Sequence, residues 1–342
     1  MNTTWTEFLT EQGAIFESAG IHFDAPDAEV RLLASGTVVV PLVHLGVVRS
    51  RGDDSAPFLH NLLSNDVKNL GPDAAQWTSF NSPKGRMLAS ILLWREPDAH
   101  LLAVSAEIQP ALKKKLSMYV LRSKVKLTDA SADTALIGIG GSHASGILAA
   151  AGLALPATAM TQTVSGEARC IRLDDNNLIV ALPVADAPRT FATLVAAGAV
   201  RAGTAAWQLA MIRAGIPLIT AATQEEFVAQ MINYDVIGGV NFQKGCYPGQ
   251  EIVARTQYLG KLKKRMYRVH FTADAAPASG ADLFTPEFGE QSAGKLVNVV
   301  RAPDGGFEAL AVLQTSSVDG DVHVGSPSGP RLSFLQLPYA LP

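Results

Sequence analysis

The sequence lacks the cysteine and histidine patterns that define disulfide-rich and metal-binding proteins. Its 342 residues include two cysteines, Cys170 and Cys246, which cannot build a disulfide framework in a chain of this length. Their separation excludes a Cys-x-x-Cys zinc site, and the seven histidines form no His-x-His or His-Glu-x-x-His pair. We therefore predict no metal site and, because unpaired thiols persist in reducing surroundings, a reducing compartment.

Long apolar runs and a strong net charge are also missing. The N-terminal segment has no basic start followed by an apolar stretch, and the longest weakly polar run, residues 146–160, is shorter than the roughly 20 residues of a membrane span. With 28 Lys+Arg against 31 Asp+Glu, the net charge of −3 draws the protein neither to nucleic acid nor to an anionic membrane. We expect a cytoplasmic protein with no membrane association.

The order of apolar patterns predicts an α+β fold. A hydrophobic fraction of 48% with 17% charged residues is typical of a globular protein, and at about 150 residues per domain the length suits two or three domains. Strands and helices alternate twice, as in two split-βαβ-like subdomains. After residue 266, short apolar runs separated by Gly, Pro and Asp predict a C-terminal antiparallel β-barrel. We therefore divide the chain into residues 1–262 and 263–342.

Individual elements follow from the same patterns. The first 35 residues, with Phe8, Ile15 and Phe16 near helical spacing, predict helices. Two strands at residues 76–80 and 86–94 flank a Pro- and Gly-containing turn and predict a hairpin. A helix from residue 107 to residue 121 is predicted by apolar residues at every fourth position.

One basic segment allows two interpretations. Lys113, Lys114 and Lys115 lie on the polar face of the predicted helix, which is typical of a solvated surface. Together with Arg122, Lys124 and Lys126 they also form a patch that suits an anionic ligand or RNA. Tyr119 is the aromatic residue near this patch, which weakens the case for base stacking. RNA binding is one hypothesis for the function, and the net charge argues against it.

Residues 244–255 stand apart from the rest of the chain. Their sequence, Lys-Gly-Cys-Tyr-Pro-Gly-Gln-Glu-Ile-Val-Ala-Arg, predicts a tight loop followed by a helix that starts at Gln250. Cys246 precedes that helix and lies two residues from Lys244, and both neighbours favour the thiolate anion. Arg255 adds to this effect, whereas Glu251 opposes it if its carboxylate faces the sulfur. Cys170 follows the Arg169 end of a predicted strand and lacks a helix terminus, so it is expected to be packed and inert.

This segment resembles the signature of the YgfZ family, folate-binding proteins related to the T-protein of the glycine cleavage system. The matching residues are Lys244, Gly245, Cys246, Tyr247, Gly249, Gln250, Glu251 and Arg255. Segments 65–67, 81–87, 119–122, 213–217 and 230–235 resemble other landmarks of the family, in the same order.

The resemblance implies a fold and a function. The fold is a T-protein-like three-part arrangement around a central channel that holds tetrahydrofolate, with Asn81, Arg86, Arg213 and Gln230 as the expected folate contacts. The function is accessory to iron–sulfur cluster assembly or repair, and it affects iron–sulfur enzymes, some of which modify tRNA. Cys246 is the expected reactive or cluster-contacting residue. Because a cluster normally takes about four ligands, a transient cluster would be shared with an assembly protein or a client enzyme.

The sequence departs from T-proteins where those enzymes need acids. Leu88 and Ala89 stand where T-proteins carry two Asp residues, so neither side chain can assist proton transfer. Arg213 stands where a pterin-binding Glu is usual, which leaves the form and affinity of the bound folate open. An active tetrahydrofolate-dependent aminomethyltransferase remains an alternative, but these residues argue against an enzyme.

Overall fold

The structure is a computed structural model that describes residues 2–18, 20–258, 260 and 262–342. In these residues the helices are α1 (Thr3–Glu11), α2 (Pro26–Ser35), α3 (Ser55–His60), α4 (Gln109–Ser117), α5 (Ala144–Ala150), α6 (Ala187–Ala196), α7 (Thr204–Arg213) and α8 (Gln250–Tyr258). The strands are β1 (Ile15–Glu17), β2 (Gly20–His22), β3 (Val38–Pro41), β4 (Leu45–Arg51), β5 (Ala75–Asn81), β6 (Met87–Glu96), β7 (Ala99–Ser105), β8 (Lys126–Asp129), β9 (Thr134–Gly140), β10 (Gln162–Ser165), β11 (Ala168–Arg172), β12 (Asn177–Pro183), β13 (Val200–Arg201), β14 (Lys264–Phe271), β15 (Asp282–Phe284), β16 (Gly294–Arg301), β17 (Phe307–Gln314), β18 (His323–Val324) and β19 (Ser333–Leu335).

The chain divides into two compact units whose limits do not follow a single cut in the sequence. Unit 1 comprises Met1–Ser55, Leu70–Gln76 and Leu92–Ala210, and unit 2 comprises Ala56–Asn69, Trp77–Ile91 and Met211–Pro342. The boundary expected near residue 263 stays a prediction. The last sheet does begin with β14 at Lys264, but unit 2 also contains earlier parts of the chain.

Unit 1 contains a six-stranded sheet in the order β10-β11-β12-β9-β3-β13. Neighbouring strands are antiparallel except for β3 and β13, which are parallel. All seven residues of β9 are buried, and side chains from α1, α5 and α6 join the strands in one hydrophobic core. In this core the rings of Trp5 and Phe191 meet edge to face with centroids 6.0 Å apart. A second set of antiparallel pairs joins β6 to β7, β7 to β4 and β4 to β8.

The prediction that the first 35 residues are helical is wrong in its middle part. Ile15 and Phe16 lie in β1, which pairs with β2 in a short hairpin. Gly13, at a φ of +90°, lies between α1 and that hairpin, in a conformation that glycine adopts readily. The apolar residues therefore share a helical spacing by coincidence, because the chain changes direction between Phe8 and Ile15.

The C-terminal part of unit 2 is a six-stranded antiparallel sheet in the order β18-β15-β16-β17-β14-β19, curled as a half-barrel. Seven of the eight residues of β17 are buried. Its inner side chains pack with those of β14 and β16 in a core that includes Phe271, Leu296 and Phe307. Together with the mixed sheets of unit 1, this sheet confirms the predicted α+β class.

The predicted hairpin is also present, as β5 and β6. Its turn is closed by hydrogen bonds from the N–H of Ser82 to the carbonyl of Arg86 and from the N–H of Gly85 to the carbonyl of Ser82. None of the described helices combines the length and apolar character needed to cross a membrane.

Candidate functional site

The signature loop, residues 244–249, leads directly into α8, as the sequence predicts. Gly249 ends the loop with a φ of +77°, a left-handed conformation that carries no steric penalty for glycine. The N–H of Gln250 donates to the carbonyl of Tyr247 at 3.1 Å, and its side-chain amide donates to the carbonyl of Lys244 at 3.3 Å. Gln250 therefore ties the first turn of α8 to the start and the middle of the loop.

The loop and α8 lie against the turn of the β5–β6 hairpin. A Cβ atom on Gly249 would lie 2.5 Å from the Cα of Gly85 and 2.5 Å from the carbonyl oxygen of Ser82. A Cβ atom on Gly85 would lie 2.9 Å from the Cβ of Ile252 in α8. The two glycines thus allow an approach of two backbones that other residues would prevent.

Lys244 anchors the loop through its buried side chain. The residue is 8% exposed, and its ammonium group donates to the carbonyls of His60 and Leu63, the latter at 2.5 Å. The same ammonium lies 4.7 Å from the centre of the Tyr247 ring. Burial lowers the pKa of Lys244 to about 8. Its hydrogen bonds hold the loop to the end of α3.

A histidine–aspartate pair borders this lysine. His60 Nδ1 lies 3.0 Å from a carboxylate oxygen of Asp66. Burial and the nearby Lys244 lower the pKa of His60. Burial alone would raise the pKa of Asp66, but hydrogen bonds from Asn69 and the proximity of His60 outweigh it and lower the pKa. Asp66 is therefore a carboxylate at neutral pH and compensates part of the buried charge of Lys244.

The two cysteines lie in opposite environments. Cys246 is exposed in the signature loop, four residues before α8. Cys170 is completely buried in β11, and burial raises its pKa to about 11. Cys170 has the packed surroundings that the sequence predicts, and Cys246 is the thiol that a second molecule can reach. Glu251 and Arg255 are also exposed, on the outer side of α8.

Within the described residues, the buried polar atoms without partners include some in the hairpin turn that packs against Gly249. Asn81, at the end of β5, is 1% exposed, and among the described residues neither its amide nitrogen nor its oxygen has a hydrogen-bond partner. Ser82, the next residue, is 4% exposed, and its hydroxyl also has no hydrogen-bond partner within the described structure. Such groups in a protein interior usually have partners, so their number here indicates a place for a ligand or water.

Gln230 belongs to the same neighbourhood. It is 1% exposed, and its side-chain nitrogen donates to the carbonyl of Val253 in α8 at 2.7 Å. Its side-chain oxygen has no partner within the described residues. The preceding residues join the hairpin: the N–H of Met87 donates to the carbonyl of Phe227 at 2.8 Å, and Arg86 and Val228 form an isolated β-bridge. The structure thus connects the segment that carries Gln230 both to the hairpin and to α8.

The two expected arginines lie in different surroundings. The guanidinium of Arg86 donates to the carbonyl of Glu226 at 2.5 Å. Arg213, at the end of α7, forms an ion pair with Glu308 of β17 at 2.6 Å, and Arg268 pairs with the other oxygen of Glu308 at 2.7 Å. Burial would raise the pKa of Glu308, but the two arginines outweigh it and lower the pKa. Arg213 is therefore held by an acid of the C-terminal sheet.

The remaining expectations concern the missing acids and metals. Leu88 and Ala89 lie in β6 with 9% and 0% exposure, and the carbonyl of Leu88 accepts a hydrogen bond from Gln224. Their side chains offer no proton donor or acceptor. Within the described part of the chain, His, Cys, Asp and Glu form no group of three or more that could hold a metal ion.

Sequence reasoning missed Ser82, Asn233 and Glu308. Asn233 is fully buried, has a φ of +59° and donates to the carbonyl of Met266, and within the described residues its side-chain oxygen has no partner. Ser82 and Asn233 lie inside segments that resemble family landmarks, which is the signal that could have singled them out. Glu308 lies in an apolar strand of the last sheet, where an acid is unusual and demands a cationic partner.

Comparisons with known proteins show what the chain is similar to. The family described as GCVT N-terminal domain matches residues 6–172. The chain is 27% identical over 321 residues to the tRNA-modifying protein YgfZ of Colwellia psychrerythraea, covering 89% of this chain and 94% of that protein. It is 27% identical over 328 residues to the tRNA-modifying protein YgfZ of Yersinia pseudotuberculosis, covering 93% and 98%.

Among solved structures, the chain resembles the glycine cleavage system aminomethyltransferase T from Bartonella henselae. The TM-score is 0.79 with 16% sequence identity, over 99% of this chain and 97% of that one. At this identity the likeness establishes the fold, which is that of the T-protein.

A matched pair of glycine substitutions tests the packing of the loop. Gly249→Ala should destabilise the protein by about 1–2 kcal/mol through its positive φ and by about 1–3 kcal/mol more through overlap with Gly85 and Ser82. Gly245→Ala is the control, because a Cβ there meets no atom within 4 Å and should change stability by less than about 0.5 kcal/mol. Urea unfolding followed by circular dichroism measures both. Equal effects would contradict the packing.

The buried ammonium of Lys244 predicts a pH dependence of stability. Because the pKa is about 8 in the folded protein and 10.5 ordinarily, the folded state binds fewer protons between these values, and stability rises with pH there. The free energy of unfolding of the wild type, relative to Lys244→Met, should therefore increase from pH 8 to pH 10, by at most about 1.4 kcal/mol per pH unit. The control is Lys84→Met, at an exposed lysine of the hairpin turn. The difference in the free energy of unfolding between the wild type and this variant should not change with pH. A constant difference for Lys244→Met would refute the prediction.

Proposed function

The chain is a YgfZ family protein, and from this premise we propose that it binds tetrahydrofolate and serves as a cytoplasmic accessory protein in the assembly or repair of iron–sulfur clusters. The enzymes it supports include iron–sulfur enzymes that modify tRNA. The fold and the signature loop support the family role, and the buried polar groups beside the loop support folate as the ligand.

The observation that carries the proposal is the set of buried groups at Asn81, Ser82 and Gln230 that have no partner within the described part of the chain. Leaving such a group unsatisfied costs about 1–3 kcal/mol, so a ligand that pairs with several of them gains affinity. The pterin ring of folate carries amino and N–H donors beside carbonyl and ring-nitrogen acceptors. An asparagine amide, a hydroxyl and a glutamine oxygen together match both kinds of group.

Arg86 suits the other end of folate, which bears carboxylates. Its guanidinium has five N–H donors, and the bond to the carbonyl of Glu226 leaves the remaining donors for an anion. Lys264 is a second basic residue near Arg86. Burial and the nearby charge of Arg86 lower the pKa of Lys264. Arg213 is the weaker candidate, because Glu308 already holds its guanidinium.

The same residues favour binding over aminomethyl transfer. Leu88 and Ala89 supply no carboxylate where T-proteins have theirs, so the chain has no acid or base there for the one-carbon unit. Glu308 does not replace the missing pterin-binding Glu, because two arginines occupy its oxygens. Folate is therefore proposed as a ligand of an accessory protein rather than as a cosubstrate.

Cys246 is proposed as the residue that meets the partner. It is exposed on a loop whose position is held by Lys244 and Gly249. One thiolate supplies one of the roughly four ligands that an iron–sulfur cluster normally takes. A bound cluster would therefore need ligands from an assembly protein or a client enzyme, and the cysteine of this chain would hold one iron at a defined place.

A pair of isosteric substitutions tests folate binding. Asn81→Leu removes an unpaired buried amide, so the free protein should gain up to about 1–3 kcal/mol in stability while losing its thermal stabilisation by millimolar tetrahydrofolate. Thr285→Val is the matched control: Thr285 is 4% exposed, and in the described structure its hydroxyl also lacks a partner. It should stabilise the free protein and leave the folate response intact. Both are measured by thermal unfolding and calorimetry.

The outcomes separate a wrong site from a wrong ligand. If the wild type shows neither heat nor thermal stabilisation with tetrahydrofolate, the folate proposal is refuted. If the wild type binds and Asn81→Leu binds equally well, the ligand stands and the site is wrong.

A cysteine substitution tests the iron–sulfur role. Cys246→Ser should keep the wild-type stability and folate response, because the side chain is exposed, and should abolish support of iron–sulfur enzymes in bacteria deleted for their own YgfZ family gene. The readout is the amount of a tRNA modification that requires an iron–sulfur enzyme, measured by mass spectrometry. Cys170→Ala, at the buried thiol, should retain support. Full support by Cys246→Ser would refute the proposed role of the thiol.

A further inference from the structure

An apolar surface lies at the end of α4, in unit 1. Met118 is 71% exposed, Tyr119 43% and Leu121 89%. They lie within residues 118–121, where the sequence predicts the end of a helix, but α4 ends at Ser117. The apolar face of α4 itself is satisfied, because Leu112 and Leu116 are buried. We call these three side chains the α4 tip. The packing of α4 against the core does not account for their apolar character.

The backbone of the α4 tip is constrained. Leu121 has a φ of +43°, a left-handed conformation that costs a branched aliphatic residue free energy. Beyond it, the N–H of Ser123 donates to the carbonyl of Val120 at 2.7 Å, and the N–H of Lys124 donates to the carboxylate of Asp54 at 2.7 Å. A constrained loop that presents a leucine to solvent is preorganised for binding, and strain of this kind is a mark of functional sites.

The chain segment that contains the α4 tip is positively charged. The chain from residue 108 to residue 128 carries no Asp or Glu. Its cationic residues are Lys113, Lys114, Lys115, Arg122, Lys124 and Lys126. Lys124 pairs with Asp53 at 3.7 Å, and Lys114, Lys115 and Arg122 are exposed. An apolar centre with a charged rim is the anatomy of a protein–protein interface, in which a few large side chains supply most of the affinity.

We propose that the α4 tip is the docking surface for a protein whose own surface combines an apolar pocket with acidic residues. Complementary charge at the rim would orient the partner, and Met118 and Leu121 would enter the pocket. The proposal goes beyond folate binding and does not depend on it.

Other occupants fit the α4 tip less well. Single-stranded RNA binds to aromatic rings on which bases stack, whereas two of these three side chains are aliphatic. A membrane-binding helix exposes its apolar face along its length, whereas the apolar face of α4 is buried. An acidic protein is the occupant that uses both the aliphatic side chains and the cations.

Photo-crosslinking in cells tests the proposal with the full-length chain. The photoreactive amino acid p-benzoylphenylalanine replaces Met118 in bacteria deleted for their own YgfZ family gene. We expect one dominant, nuclease-resistant protein adduct whose cross-linked peptide, identified by mass spectrometry, lies on an acidic surface. The same amino acid at Val164, an apolar residue 56% exposed in β10, should give no such adduct.

Two further variants show that the contact depends on the α4 tip. The triple variant Lys114→Glu, Lys115→Glu and Arg122→Glu should reduce the adduct at least fivefold, and Arg31→Glu, on the exposed side of α2, should not. Leu121→Asn should also reduce it at least fivefold without lowering the unfolding temperature, because asparagine tolerates the left-handed conformation and the leucine buries little. A leucine with a structural role would instead destabilise the protein when replaced.

Several results would overturn the proposal. They are an adduct that contains RNA or lipid, equal adducts from positions 118 and 164, the absence of an adduct, or an adduct indifferent to both the charge-reversal variant and Leu121→Asn. The unfolding temperature of the charge-reversal variant serves as the folding control and should equal that of the wild type. If the wild type does not bind folate, this test is unaffected.

Discussion

The buried ammonium group of Lys244 holds in place the signature loop that carries the exposed Cys246. A charge in a protein interior is stable only when it is paired or hydrogen-bonded, and here two backbone carbonyls and the ring of Tyr247 surround it. Asp66 contributes an opposing charge. The lysine therefore fixes the start of the loop, and the cysteine two residues later faces solvent.

A close contact between two glycines holds the other end of the loop in place. Gly249 and Gly85 bring the start of α8 against the hairpin turn, and no larger residue fits either position without displacing backbone. Asn81 and Ser82 of this hairpin are buried, and the segment that carries Gln230 bonds to the same hairpin. The same packing that stabilises the loop thus removes polar groups from water, and a ligand with complementary donors and acceptors would recover the lost hydrogen bonds.

The ion pairs of unit 2 show how a substitution at a family position is accommodated. Arg213 replaces an expected acid, and Glu308 of β17 neutralises it together with Arg268. A buried charge without such a partner would be strongly destabilising, so the acid in an apolar strand and the arginine at the end of α7 are explained together. The arrangement also withdraws one arginine from the expected folate contacts and leaves Arg86 as the better cation for a carboxylate.

The sequence by itself determined the α+β class, the β5–β6 hairpin, the helix that begins at Gln250 and the resemblance to the YgfZ family, because apolar period, turn residues and a long motif are local properties of the chain. It could not determine that Ile15 and Phe16 form a strand, since the spacing of apolar residues is the same until a partner strand is present. Only the tertiary structure decided that Lys244 points to the last carbonyl of α3, that Asn81 is buried with no partner among the residues described, and that Arg213 meets Glu308. Each of these depends on residues distant in sequence, where burial and charge are properties of the packed molecule.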